Sequence, residues 1–453
     1  MKILLVSTYE LGHQPLHVAS PAAALVEAGH DVRTIDLSVE MWDPALAGWA
    51  DAVGFSVPMH TAMRLALEGA AALKETDPAK PVCFYGLYAT TSARDGLVDR
   101  AIAGEYETEL VAWASGLTNE QRTIDLGRQP FKLPVRASLP PLDRYARLAI
   151  GADERIAGYV EASHGCAHRC RHCPVPVVYD GRTRRVPVEV VIDDIGRQVE
   201  MGAMHITIGD PDFLNRSSHS MQVVHELHTR YPRVTYDITT KVEHILKHVD
   251  LLPELASTGC LFAITAYECM NDDILRFLDK GHTAAEASEA TKLLRRHGIE
   301  PRPSWLPFMP WTTVDDVADI IDFIIAHDLV GNVDPVQLSI RLLVPEGSLM
   351  LDVPEMQQHL GPYDPETLSY SWIAADPRTV DLQQQIARRV EDAAGSNAEI
   401  FCDVASLVHE AVGRPAVDRA AVVASAKVAP RLTEAWFCCA EPTKEQFASI
   451  SAR

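Results

Sequence analysis

The chain has 453 residues, 47% of them hydrophobic, enough to bury the cores of two or three domains. Its 41 basic residues stand against 62 acidic ones, a formal net charge of −21, which excludes general nucleic-acid binding because a phosphate backbone is repelled everywhere outside a local basic patch. No apolar run is long enough to span a bilayer, and nine cysteines in a chain expected in the cytoplasm point to metal ligation or reactive thiols before disulfides.

The opening "MKILLVSTYE" carries one lysine and a short apolar run, which reads as a first β-strand and not as a signal peptide. "SPAAALVEAGH" follows as a helix ending at Gly29, and "DVRTIDL" as the next strand. "ADAVGFSV" (50–57) and "PVCFYGLYA" (81–89) continue as strands on either side of the helical "MRLALEGAAALKE". Strands alternating with helices imply right-handed crossovers and a doubly wound parallel sheet, with any ligand at the carboxyl ends of the strands. Residues 1–130 are therefore predicted to form one Rossmann-like α/β domain. Its first turn, "STYELGHQP", lacks the G-x-G-x-x-G fingerprint, which argues against a nicotinamide cofactor. The proline-rich "PFKLPVRASLPPLDRY" then favours a semi-rigid linker, placed at 131–150.

The most informative segment is "YVEASHGCAHRCRHCPVP", where Cys166, Cys170 and Cys173 make a C-x3-C-x2-C spacing directly after a strand. Three thiolates on one tight loop hold three irons of a cubane cluster and leave the fourth iron open to another ligand. The competing reading is structural zinc, which wants four ligands; His164, His168 or His172 would supply the fourth, but no second C-x2-C knuckle exists. The nearby "GRTRRVP" (181–187) is the one conspicuous basic cluster, either a solvated turn or an anion-binding segment.

On these residues the chain resembles the radical S-adenosylmethionine (SAM) superfamily, over residues 156–351. The resemblance implies a partial (β/α)6 barrel at 151–375, a 4Fe-4S cluster on the three cysteines, and SAM chelating the open iron. It also implies an external low-potential electron donor such as flavodoxin or ferredoxin, reductive cleavage of SAM to a carbon radical, and a small-molecule substrate, with no nucleic-acid or membrane partner. One departure is His172, where the family often has an aromatic or aliphatic residue. "HITIGDPDFLN" looks like the second barrel strand, with Gly209 and Asp210 where the family binds the SAM ammonium; Asp210 reads equally as a turn residue before "PDF". "VTYDITT", "LFAITAYE", "PRPSWLPF" and "PVQLSIRLLVP" follow as strands, with the helical "DDILRFLDKGHT" and "AAEASEATKLLRRHGI" between them. Glu268 and Arg341 fall at or near strand ends, where the resemblance implies contacts to SAM and the residues alone are equally consistent with structural ion pairs.

The segments "ADAVGFSVPMHTAMRLALEGAAALKE" and "IAGEYETELVAWA" (102–114) resemble the cobalamin-binding domain that precedes the barrel in one branch of that superfamily. The loop that would carry D-x-H-x-x-G reads "ELGHQPLHVAS". Cobalamin as a third cofactor thus binds without a protein imidazole, or the domain is a scaffold. Beyond "SYSWIAADPRTVD" three amphipathic segments predict a helical domain at 376–453, whose Cys402 is either core or directed at the site.

The tail "CCAEP" (438–442) resembles the ending of a small group of radical SAM proteins named for a terminal Cys-Cys-Ala-Glu-Pro or Cys-selenocysteine-Ala-Glu-Pro motif. That likeness makes Cys438 and Cys439 candidate catalytic thiols. The group lies close to enzymes that make arsinothricin by placing the 3-amino-3-carboxypropyl group of SAM on trivalent arsenic, and arsenite, being thiophilic, suits adjacent thiolates. Two alternatives stand beside it. One is a cobalamin-dependent methyltransferase or a 5′-deoxyadenosyl-radical modifier of another metabolite; the other is a non-enzymatic iron-sulfur or soft-metal binding protein. If the tail thiols act in chemistry, the tail is expected to fold back over the barrel mouth.

Overall fold

Six short strands open the chain: β1 (Lys2–Ser7), β2 (Asp31–Asp36), β3 (Ala52–Ser56), β4 (Val82–Tyr85), β5 (Arg100–Gly104) and β6 (Arg122–Asp125). They pair in parallel in the order β2-β1-β3-β4-β5-β6. Helices Leu16–Glu27, His60–Thr76 and Glu107–Ala114 cover the sheet, which is why its central strands are continuous apolar runs. The order reverses between β1 and β3, and such a switch point opens a crevice at the strands' carboxyl ends. The computed structural model describes residues 1–91, 96–118, 120–392, 394–434 and 442–451.

The second sheet begins with β7 (Arg147–Ile150) and β8 (Asp153–Val160), followed by a small antiparallel pair, β9 (Ser163–Gly165) and β10 (Thr183–Arg185). It continues with β11 (His205–Ile208), β12 (Thr235–Thr239), β13 (Cys260–Glu268) and β14 (Glu300–Trp305). A hairpin, β15 (Leu360–Asp364) and β16 (Ser369–Trp372), precedes the last strand, β17 (Arg431–Leu432). The sheet order is β14-β13-β12-β11-β8-β7-β17, with β8 and β11–β14 parallel and β7 and β17 antiparallel at one edge. It curls into a half-barrel: Arg302 of β14 donates to the Pro430 carbonyl beside β17, 3.4 Å away, and pairs with Asp334 at 3.1 Å. Helices Val188–Glu200, Ser217–Arg230, Ala284–Arg296 and Val314–Ala326 pack outside, the last two started by capping boxes at Thr283/Glu286 and Thr313/Asp316.

One expectation is corrected by the barrel's last segment. "PVQLSIRLLVP" is not a barrel strand: Pro335–Ser339 is a 3-10 turn, and only one bridge, Phe308 to Arg341, stands where a sixth strand would run. The proline fixes a turn entry there, and Gln337 caps the neighbouring strand by accepting from the Trp305 amide at 3.2 Å. The C-terminal region is helical over most of its described length. Helices Arg378–Glu391, Asn397–Val412 and Arg419–Ser425 form a bundle on the barrel core, but β17 joins the barrel sheet and the helix Lys444–Ser451 returns to helix His60–Thr76. Ile450, 4% exposed, finds its apolar cover there in the N-terminal core. Among the described residues no helix is long and apolar enough to cross a membrane.

Candidate active site

The parallel strands of the half-barrel end on one face, the end at which barrel enzymes carry their chemistry. Cys166, Cys170 and Cys173 lie on the loop just after β9 at that face, all with free thiols, the first two buried. The loop is held from several sides. The Cys173 amide donates to the Cys170 carbonyl at 3.1 Å, Arg171 donates from its amide to Leu278 at 2.9 Å and from its side chain to Phe277 at 3.1 Å, and Asn215 Nδ2 reaches Cys166 Sγ at 3.4 Å. Burial pushes the Cys173 thiol up to about 12 and raises that of Cys166 as well, so a metal ion that binds here must displace protons.

The histidines of this loop point elsewhere. His164 faces Glu105 at 3.1 Å and Glu161 at 3.4 Å; His168 faces Asp212 at 3.5 Å; His172 faces Glu268 at 3.1 Å. Three thiols therefore share this loop with no imidazole turned toward them. That donor set fits three irons of a cubane cluster with an open fourth position, and does not make a closed zinc site.

Around the loop, Gly209 follows β11 with its Cα under the Tyr159 ring: a Cβ there would lie 2.0 Å from the Tyr159 hydroxyl oxygen, so no larger residue fits. Both Asp210 oxygens are engaged, accepting from the Ala162 amide at 2.7 Å and from the Ser163 hydroxyl. Burial pushes this carboxyl up to about 7 against the pull of those bonds. Asp210 thus fixes the strand end that leads into the cysteine loop. Glu268 ends β13 in the left-handed region, at φ 65°, and is 5% exposed. Burial opposes its charge, but Lys280 at 2.9 Å and His172 outweigh that and hold the carboxyl well below the usual range. A left-handed φ at a non-glycine residue costs of order 1–3 kcal/mol and persists only where surrounding contacts enforce it. Arg341 is exposed, its guanidinium 4.7 Å above the Trp372 ring. Cys402 is buried in the main core.

Sequence reasoning did not single out Asp212, Lys241, His244, Lys280 or His282, which come to this face from the segments that follow β11, β12 and β13. They share no spacing or periodicity that would mark them in the sequence. Cys438 and Cys439, and the expectation that the tail covers the barrel mouth, lie outside the described residues. Their flanks are placed: Glu434 Oε1 accepts from the Tyr9 hydroxyl at 2.8 Å, and Thr433 pairs with Arg147.

Between the two sheets runs a buried network. Arg136 donates to both Asp194 oxygens, at 3.0 and 2.7 Å, and to the carbonyls of Tyr159 and Gln14. Glu161 meets His17 at 3.2 Å and the Tyr159 hydroxyl at 2.8 Å, while Glu105 accepts from Tyr179 at 3.0 Å. Cys166 shares an apolar cluster with Ala103 of β5. The gap left beside His17, Glu161 and His164 is about 30 Å³, room for a water or two. A corrinoid is far larger than this gap, so binding one at the seam would require the contacts of His17, Glu161 and His164 to part. His13, in the loop that stands in place of a D-x-H-x-x-G signature, is stacked on Tyr159 at 4.7 Å between centroids, and burial lowers it to about 4. A larger cavity, about 540 Å³, opens over the ends of β1 and β2, lined by Thr8, Tyr9, Ser38, Arg144 and Glu434.

Residues 160–324 match the family model of the Radical SAM superfamily. The chain is similar to the hopanoid C-3 methylase of Methylococcus capsulatus, 24% identical over 317 residues, covering 63% of this chain and 59% of that protein. It is also similar to an uncharacterized methyltransferase of Pyrococcus horikoshii, 24% identical over 194 residues, covering 42% of this chain and 41% of the relative. The matches thus span well under two thirds of these curated relatives. In fold it is similar to the radical SAM methyltransferase TsrM of Kitasatospora setae with tryptophan and a SAM analogue bound, at TM-score 0.62 and 15% identity, covering 94% of this chain and 97% of that one. The cobalamin-dependent radical SAM enzyme OxsB, solved with aqua-cobalamin and SAM, matches at TM-score 0.63 and 15% identity over 85% of this chain and 66% of its own.

Proposed function

We propose that this chain, whose residues 160–324 match the Radical SAM family model, is an enzyme that holds a 4Fe-4S cluster on Cys166, Cys170 and Cys173 and transfers an alkyl group from SAM to a small molecule. The observation that carries the reading is the loop itself: three free thiols stand on one loop at the half-barrel's mouth while His164, His168 and His172 all turn to carboxylates. With cluster and SAM bound, one electron delivered to the sulfonium breaks a carbon–sulfur bond and yields a carbon radical. The chain's own part is placement. Asn215 and Arg171 shape the loop, Asp210 fixes the strand entering it, and Glu268 keeps the Lys280 ammonium buried beside Cys170 and Cys173. The apolar packing of Cys166 on Ala103 keeps water from that side of the loop.

Methyltransferases among the relatives support alkyl transfer as the class. The narrower reading, 3-amino-3-carboxypropyl transfer to thiol-bound trivalent arsenic as in arsinothricin biosynthesis, rests on the Cys438–Cys439 tail motif. Product analysis of SAM cleavage by the reduced, iron-loaded chain tests both. SAM cleavage that disappears when the three loop cysteines are replaced is expected; none under strong reduction would sink the enzyme class proposed. 5′-Methylthioadenosine together with an organoarsenical, formed only when arsenite is present, is the outcome of the narrower reading, and 5′-deoxyadenosine alone counts against it. Corrinoid content after growth on cobalamin is the companion measurement. Stoichiometric corrinoid would mean that the contacts of His17, Glu161 and His164 part to admit it.

A further inference from the structure

Beside the thiols lies a second set of donors. His168 stands between Cys166 and Cys170 on the loop, Asp212 follows β11, and His244 sits in the helix Val242–Lys247 after β12, so three neighbouring strand ends each contribute one group. One donor atom from each falls within 4.8 Å of the others. His168 Nε2 is 3.5 Å from Asp212 Oδ2 and 3.4 Å from His244 Nε2, and His244 Nδ1 is 2.7 Å from Asp212 Oδ2.

The bonding around this set is incomplete in a specific way. Asp212 is 1% exposed, and its Oδ1 is fixed by the Thr240 hydroxyl at 3.0 Å. Its Oδ2 is buried and accepts no hydrogen bond, and His244 Nδ1, only 2.7 Å away, is likewise buried without one. A carboxylate oxygen and an imidazole nitrogen in contact, yet not aligned to share a proton, are two lone-pair donors facing one point. Leaving both unmet in the interior is unfavourable, and a cation between them removes that cost. The supporting contacts are those expected around a metal. Thr240 orients the carboxylate, and Glu243 approaches His168 Nδ1 at 3.7 Å, the side of the ring away from the shared point. Lys241, the nearest cation on the same helix start, is itself turned to Glu243 at 3.6 Å.

We propose that His168, Asp212 and His244 bind a divalent transition-metal ion, Zn2+ or Fe2+, at a site separate from the cysteine cluster. Two imidazoles and one carboxylate are the donors such borderline ions select, and hard ions such as Mg2+ and Ca2+ do not. Three protein ligands leave at least one coordination position open, as in catalytic and not structural sites. The ion ties the stretch between the first two cluster cysteines to the segments after β11 and β12. The site uses none of the three cysteines, so its test is independent of the cluster.

Full-length protein carrying Cys166→Ala, Cys170→Ala and Cys173→Ala together is loaded with Zn2+ or Co2+, desalted, and its metal counted by mass spectrometry. One retained ion per chain is expected, and the Co2+ form should show d–d bands of nitrogen and oxygen ligation with no thiolate charge-transfer band. Adding Asp212→Asn or His244→Gln should abolish retention while far-ultraviolet circular dichroism stays unchanged. Thr240→Val, which loosens the carboxylate without removing a ligand, should weaken binding about tenfold. Loss of all zinc with the cysteines, or equal retention after Asp212→Asn and His244→Gln, overturns the proposal.

Discussion

The seam between the two sheets and the mouth of the half-barrel are equally rich in buried charge, yet they differ in how that charge is met. In the seam every named group has its partner: Arg136 is fully donated, Glu161 faces His17 and His164, and Glu105 faces His164 and Tyr179. The space left over is about 30 Å³. At the mouth, Asp212 Oδ2, His244 Nδ1, His172 Nδ1 and both nitrogens of His282 are buried with no hydrogen-bond partner. Buried charge and displaced titration therefore do not by themselves mark the working site, since structural networks shift them too. Several unmet polar atoms gathered at one face are a stronger sign than isolated ones elsewhere in the fold, such as those of Tyr85, Arg100 and Trp305, because one group from outside the chain can complete them together.

The largest effect expected from breaking this contrast is at Glu268. It faces Lys280, buried with it, and the half-buried His172, and removing one partner of a buried pair costs roughly 3–5 kcal/mol because a bare charge remains. Glu268→Gln should therefore lose about that much stability in chemical denaturation of the iron-free protein. Lys280 also lies near Cys170 and Cys173, whose thiolates on iron supply negative charge, so the loss should shrink once the cluster is loaded. An equal loss with and without iron would mean that Lys280 takes no part in the charge balance of the loop.

The seam should respond to pH instead. Burial opposes the His17 charge, but Glu161 and Glu10 outweigh it and raise the histidine to about 9. Its contribution to stability is full below its ordinary value of 6.5 and is lost as pH rises through 9. Glu10, pushed up to about 7 by burial, works in the same direction from 4.5 upward. Glu161 is held down to about 2 by His17 and His164 against its burial, so its share is present above 4.5 and is lost only as pH falls through 2. Stability should thus fall by about 1–3 kcal/mol between pH 6.5 and 9, taking about 1.4 kcal/mol per unit and allowing for coupling among these groups. His17→Gln should reduce that slope and leave the part carried by His164, which Glu105 raises to about 10 against its burial; a wild-type stability indifferent to pH over this range would show that the pairing contributes nothing.

This contrast also marks how far the sequence could be read. The parallel sheets were legible because aliphatic runs such as "KILLV" alternate with helical periods, and the cysteine loop because its spacing is rare and local. "PVQLSIRLLVP" misled because it has the apolar density of a strand, whereas Pro335 and the demand of Gln337 to cap β14 turn it into a 3-10 element. Gly209 and Asp210 were visible as a strand end, but which carboxylate faces open space was not. Asp210 and Asp212 differ by two residues in one turn, and only the tertiary contacts of Ala162 and Ser163 consume the first and leave an oxygen of the second bare. The seam was illegible altogether, since His17, Glu105, Asp194 and Glu161 come from four segments with no shared pattern.

The smallest effect should come from Tyr159, where seam and mouth meet. Its hydroxyl donates to Glu161 at 2.8 Å, while its ring stacks on His13 and lies against Gly209. Tyr159→Phe keeps the ring and removes one hydrogen bond to a carboxylate that still faces His17 and His164, so about 1 kcal/mol is expected. Redundancy is what keeps the figure low. At the mouth a deletion of the same kind, Thr240→Val, strips Asp212 of the one hydrogen bond it accepts there from a side chain, and the metal-free protein should lose about 1–3 kcal/mol. If the two changes cost the same, the seam is no better satisfied than the mouth, and unmet bonding cannot be what sets the candidate site apart.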